Sequence, residues 1–179
     1  MLFRSAAGAG IVRLLRAYGV ERILGTDLNA AAVARLVAAG GEGVTLEALM
    51  QRADIVIATT GVRGLIKPQW VRKGQVILAL SNPDPEIEPL IAREQGAALA
   101  ADGKGINNVL AFPGLFKGAL AARARSFTDA MLMAAANAIA GFACCGDELV
   151  PDPLDKRLHE AVSAAVRAAA ADSAVSTAG

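Results

Sequence analysis

The sequence predicts an α/β fold: a doubly wound parallel sheet followed by a helical C-terminal extension. Two short, continuous apolar runs, Ile55-Val56-Ile57-Ala58 and residues 76–80 (VILAL), suit strands buried on both faces. Helical patterns alternate with these runs, which argues for parallel strands joined by right-handed crossovers. The last third of the chain carries helical patterns only.

The elements follow in order. Ile11, Val12, Leu14 and Leu15 line one face of a first helix. It stops at Tyr18-Gly19, glycine being the usual residue just past a helix end. Tyr18, the lone tyrosine, falls among the buried positions of that pattern. Residues 20–26 (VERILGT) read as a strand ending at Asp27. Asn29 caps a helix over 30–39, which Gly40-Gly41 ends, and Thr45 caps a short helix in TLEALMQR. The strands at 55–58 and 76–80 follow, then a weaker one at 97–101. Helices over 115–125, 128–142 and 155–171 complete the chain. Thr128 caps the second of these, and Pro151 and Pro153 separate it from the third. The closing SAVSTAG is expected to fray.

Composition bounds the function. At 179 residues, 54% hydrophobic and 20% charged, the chain is expected to form one domain, or at most one and a small appendage, and to bury roughly 70% of its unfolded surface. Eighteen Lys and Arg against 17 Asp and Glu leave a net charge of +1. No charge excess draws the chain to nucleic acid or a membrane surface, and neither is expected as a partner. The mean hydropathy of +0.43 comes from alanine rather than from a spanning segment. Cys144 and Cys145 are adjacent, without metal-ligand spacing. They read as small buried apolar residues in a reducing compartment, and a cytoplasmic location is expected. His159 is the single histidine, so triad and zinc chemistry drop out and a surface or capping role remains.

Three places carry candidate chemistry. Ala6-Ala7-Gly8-Ala9-Gly10 opens a helix, and Asp27 stands nineteen positions after Gly8. Small residues at a helix start let backbone N–H groups meet a pyrophosphate, and an acid at the next strand end accepts from a ribose hydroxyl. This is a Rossmann-type fingerprint with Phe3 and Ser5 where its first two glycines belong. A small-residue helix packed on a sheet explains the same run. Thr60 and Gly61 close the strand at 55–58, on the crest where a doubly wound sheet binds its cofactor; a plain turn also uses such a glycine. Asn82 ends the strand at 76–80 with an uncharged donor and acceptor, although Asn-Pro equally initiates a turn.

The most specific signature is NNVLAFPGLFKGAL over 107–120, with SNPDPEI upstream over 81–87. Together they resemble the cofactor-binding half of malic enzymes, along a stretch from about Ala6 to Ala171. The resemblance implies oxidation of malate with NAD, or NADP, and decarboxylation to pyruvate with Mg²⁺ or Mn²⁺. It aligns Gly8, beside Ala7, with the phosphate-loop glycine and Asp27 with the acid near the adenosine ribose. Asn82 matches the asparagine between nicotinamide and substrate. Asn108 matches the one that binds the malate carboxylate, with Asn107 its neighbour. Lys117 is expected to cap or face solvent.

The family's proton-transferring tyrosine and lysine and its metal carboxylates match nothing in this chain, so no catalytic or metal residue is assigned. The resemblance therefore implies a truncated chain whose first strand is missing. Residues 1–5 read as a non-native scar, 6–172 as the NAD-binding domain and 173–179 as a frayed tail. Such a chain is expected to bind NAD poorly alone, without turnover, and to self-associate when full length. Its partners would be malate and pyruvate. A stand-alone nucleotide-binding or regulatory module, or the NAD-binding domain of another dehydrogenase, is the alternative.

Overall fold

Every strand pair in the structure is parallel, as continuous apolar runs require. The computed structural model describes residues 2–3, 6–106, 108–142 and 150–176. The chain forms two units, Met1–Ile106 and Asn107–Gly179.

In the first unit, strands β1 (Leu2–Phe3), β2 (Leu24–Gly25), β3 (Glu42–Gly43), β4 (Ile55–Thr59), β5 (Val76–Ala79) and β6 (Leu99–Asp102) alternate with helices. The helices are α1 (Ala6–Ala17), α2 (Ala30–Ala38), α3 (Leu46–Arg52) and α4 (Pro89–Glu94). One sheet runs β1-β4-β5-β6 and a second pairs β2 with β3. These are the two halves of the doubly wound order 3-2-1-4-5-6, with the break between β2 and β1. Successive residues of a strand face opposite ways. Val56 and Ala58 are fully buried with Leu49, Met50 and Ala92, while Ile57 packs against the separate cluster of Val12, Ile23 and Leu36. Both faces of β4 are thus covered, and β4 reads as apolar throughout.

The expected absence of a first strand is corrected. Leu2–Phe3 forms β1 and lies parallel to β4, with Leu2 opposite Ala58 and Phe3 opposite Thr59. This pairing covers the C-terminal end of β4, and β1 leads directly into α1. The strand expected over 20–26 shortens to Leu24–Gly25. The Arg16 guanidinium takes the carbonyls of Val20, Glu21 and Gly40, which removes Val20 and Glu21 from a ladder. Tyr18 is exposed at 68% rather than buried, because it lies in the terminal turn, just before Gly19 at φ 94°. Asn29 and Thr45 cap as expected: their side chains accept from Ala31 N and Ala48 N. The helix α4 and the strand β3 were not foreseen.

The second unit contains a 3₁₀ turn (Asn108–Leu110) and helices α5 (Phe112–Ala121), α6 (Asp129–Phe142) and α7 (Lys156–Ser176). Helix α5 starts three residues earlier than expected because Pro113 sits in its first turn, where a missing N–H costs nothing. Thr128 accepts from Met131 N at the start of α6, as expected. Leu158, Val162 and Val166, at intervals of four on α7, are fully buried against Met131, Ala135, Leu110 and Ala119. Gly114 and Gly118 let α5 approach α7 closely: a Cβ at Gly118 would stand 2.5 Å from Ser163 O, and one at Gly114 2.7 Å from Val162 Cβ. Helix α7 continues to Ser176, past the expected start of fraying. Cys144 and Cys145 lie outside the described residues.

Candidate functional site

The crest of the first unit is built from the C-terminal ends of its strands. Ala7 and Gly8 lie in the first turn of α1, whose first four N–H groups have no intrahelical acceptor. Gly8 is buried. Asp27 follows β2, half-buried, and its Oδ1 accepts from Asn29 N at 2.7 Å. Asn29 in turn caps α2. One Asp27 oxygen therefore organises the turn. The other makes no hydrogen bond among the described residues.

Thr60 is placed on the crest, but its polar atoms face inward. Its N–H and its hydroxyl both donate to Glu86 Oε1, at 2.6 and 2.8 Å. Gly61 has φ 69°, a left-handed conformation natural to glycine. A Cβ there would meet nothing within 4 Å, so the backbone is open to a ligand. Asn82 is exposed at the end of β5, next to a cis Pro83. Its Nδ2 donates to Gly103 O at 3.1 Å. Gly103 allows that contact, because a Cβ would lie 2.6 Å from Asn82 Nδ2 and 2.5 Å from Leu80 O. Thr60 and Gly61 thus follow β4, while Asn82, past the end of β5, is tied to the chain after β6.

Sequence reasoning missed what joins these ends. Glu86 is fully buried, and its carboxylate accepts from Thr60 and from the Ser81 hydroxyl. Burial raises its pKa. Hydrogen bonds from Ser81, the Thr60 N–H, the Thr60 hydroxyl and its own N–H outweigh burial, and the net shift is downward from 4.5. An acid between two prolines and an isoleucine in SNPDPEI carries no periodic signal of burial; the spacing to Ser81 was the only clue.

A carboxyl whose pKa is lower folded than unfolded stabilises the fold above its unfolded value and loses that contribution as pH falls through the folded value. The difference in melting temperature between wild type and Glu86→Gln is therefore expected to shrink as pH falls below 4.5. Thermal melts across the acid range check this; a gap that widens on acidification contradicts it.

Asn108 belongs to the second unit, exposed at the start of the 3₁₀ turn. Its backbone carbonyl accepts from Ala111 N. Asn107 lies outside the described residues. Lys117 forms an exposed pair with Glu160, and His159 Nε2 meets Pro153 O at 2.9 Å. Both fit structural roles. Among the described residues no cluster of three or more His, Cys, Asp or Glu is placed to hold a metal, and no helix is long and apolar enough to cross a membrane.

Comparison with known proteins supplies the family. Residues 100–173 match the family model of the malic enzyme NAD-binding domain. The chain is 57% identical over 166 residues to NAD-dependent malic enzyme 1 of Bacillus subtilis, covering 92% of this chain and 38% of that protein. It is 35% identical over 158 residues to the NADP-dependent malic enzyme of Halomonas elongata, covering 73% and 37%. The crystal structure of the Pyrococcus horikoshii malic enzyme superimposes with a TM-score of 0.86 at 29% identity, over 98% of this chain and 48% of that one. The chain thus spans less than half the length of these relatives. It belongs to the malic enzyme family, as an NAD-binding domain with a Rossmann-like fold.

Proposed function

We propose that this domain provides the cofactor and substrate amides of an enzyme that oxidises malate and decarboxylates the product to pyruvate and CO₂. The observation that carries this reading is the 57% identity with the Bacillus subtilis NAD-dependent enzyme. The crest fits a dinucleotide. The first turn of α1, around Ala7 and Gly8, would meet the pyrophosphate. The second Asp27 oxygen would accept from the adenosine ribose, and the open Gly61 backbone and Asn82 would border the nicotinamide half. When bound, the dinucleotide accepts hydride from malate. Each unit would supply substrate amides of its own, Asn82 in the first and Asn107 and Asn108 in the second. Proton transfer and Mg²⁺ or Mn²⁺ ligation belong to parts of the full-length enzyme outside these residues. A homo-oligomer in the cytoplasm is part of the same proposal.

Asp27 favours NAD over NADP, since its carboxylate repels a 2′-phosphate and no arginine adjoins it. In a full-length enzyme carrying this chain in place of the matching residues of the Bacillus subtilis relative, Asp27→Ser is expected to narrow the NAD/NADP preference. The serine hydroxyl still accepts from Asn29 N, so the turn is kept. Loss of one charged contact predicts a change of about tenfold or more in the ratio of kcat/KM values. An unchanged ratio removes Asp27 from cofactor selection.

A further inference from the structure

We propose that Glu86 is a positioning residue that turns the amides of residues 60–62 inward, so that this lip of the cleft offers carbonyl oxygens, and not N–H groups, to its ligand. The ligand it fits is the hydroxyl- and carboxamide-bearing half of the dinucleotide rather than a phosphate. The ligand part of this inference rests on the dinucleotide reading above.

Three consecutive amides end on one carboxylate oxygen. Thr60 N donates to Glu86 Oε1 directly, at 2.6 Å. Gly61 N donates to Ser81 Oγ at 2.8 Å, and that hydroxyl donates to the same Oε1 at 2.5 Å. Val62 N donates to Thr60 Oγ1 at 3.2 Å, and that hydroxyl also donates to Oε1, at 2.8 Å. Each hydroxyl accepts from an amide and gives its own proton to the carboxylate, which fixes both rotors and polarises both chains. Glu86 Oε2 faces Ser81 N at 3.4 Å. Only an anion accepts from every side in this way, and these bonds offset the cost of burying it.

The consequence for the lip follows from peptide geometry. In a planar trans peptide the carbonyl points opposite to the N–H. With the Gly61 and Val62 amides turned toward Glu86, the Thr60 and Gly61 carbonyls point away from it. Among the described residues neither carbonyl accepts a hydrogen bond. Gly61 keeps the outer side clear. In a doubly wound sheet, the half formed by β4, β5 and β6 receives the mononucleotide remote from the adenosine. Its ribose hydroxyls and carboxamide are donors, whereas a phosphate brings acceptors only.

The test uses the ¹⁵N-labelled 179-residue chain, with amide exchange measured without ligand and NMR titrations with NAD and with AMP, which reach into weak binding. Glu86→Gln is expected to speed exchange at residues 60–62 about tenfold while the Ile77 amide in β5 stays protected, because a neutral amide no longer fixes the Thr60 N–H and the two hydroxyls that hold the next two amides. The dissociation constant for NAD is expected to rise about tenfold, while that for AMP is unchanged. Ser81→Ala, which removes only the acceptor of Gly61 N–H, is the milder variant should Glu86→Gln fail to fold. It should release Gly61 alone and weaken NAD in the same direction. Unchanged exchange at residue 61 in Ser81→Ala, or equal losses of NAD and AMP, overturns the proposal. If the wild-type chain binds neither NAD nor AMP, the dinucleotide reading fails and takes the ligand assignment with it. The exchange rates then still decide whether Glu86 holds the amides.

Discussion

Gly118→Val is expected to disrupt the helical unit of residues 107–179. Its Cβ would lie 2.5 Å from Ser163 O and 2.8 Å from Val166 Cβ, so α5 and α7 must part. Overpacking alone costs roughly 1–3 kcal/mol. Parting the helices also exposes some of Val162 and Val166, now fully buried, at up to about 1.5–3 kcal/mol per side chain. A total near 3–5 kcal/mol is a large share of the ~5–15 kcal/mol that holds a domain, and predicts a melting temperature lower by roughly 6–20 °C. Gly141→Ala, on α6 with nothing within 4 Å of its Cβ, is the control. It should be neutral or stabilising by about 0.5–1 kcal/mol. Circular dichroism melts of both variants decide the matter; equal melting temperatures would mean that the two helices are not in glycine-mediated contact.

Asn108→Ala should leave stability nearly unchanged and raise the KM for malate. The Asn108 backbone carbonyl, not its side chain, closes the turn onto Ala111 N, and the residue is exposed. Truncating its amide therefore removes little from the fold. If that amide binds the malate carboxylate equally in the ground and transition states, its loss costs roughly 1.5–3 kcal/mol, about ten- to a hundredfold in KM, with kcat and the KM for NAD little altered. Steady-state kinetics of the full-length enzyme carrying this domain provide the check. A collapse in stability with malate KM unchanged would make Asn108 a turn residue.

Much of this architecture was legible because local and tertiary signals agree. The runs at 55–58 and 76–80 became β4 and β5 almost residue for residue, since strands covered on both faces leave an uninterrupted apolar record. Asn29, Thr45 and Thr128 announced their helices through capping chemistry, which acts within three residues. The strand at 20–26 was overestimated because the Arg16 side chain, distant from Gly40 in sequence, claims the carbonyls. Tyr18 misled for a similar reason: helical periodicity places it on the apolar face, but the helix ends there. The placement of Asp27, Gly61 and Asn82 just past strand ends was legible because turn residues and glycines mark where a strand stops. Glu86 was not. Its importance lies in contacts with Thr60, twenty-six positions away, and a single acid in a proline-rich turn reads as solvent-exposed. Arg52 with Glu42, an exposed pair, shows the reverse: obvious chemistry that stays on the surface.

This chain is expected to work as the NAD-binding domain of a malic enzyme. The most direct test replaces the matching residues of the Bacillus subtilis NAD-dependent malic enzyme 1 with this chain and follows NADH formation from malate with Mn²⁺, together with pyruvate. Malate-dependent NADH with pyruvate in equal amounts is expected, with the KM for malate raised about ten- to a hundredfold by Asn108→Ala. A hybrid that folds and binds NAD yet forms no pyruvate from malate would contradict it.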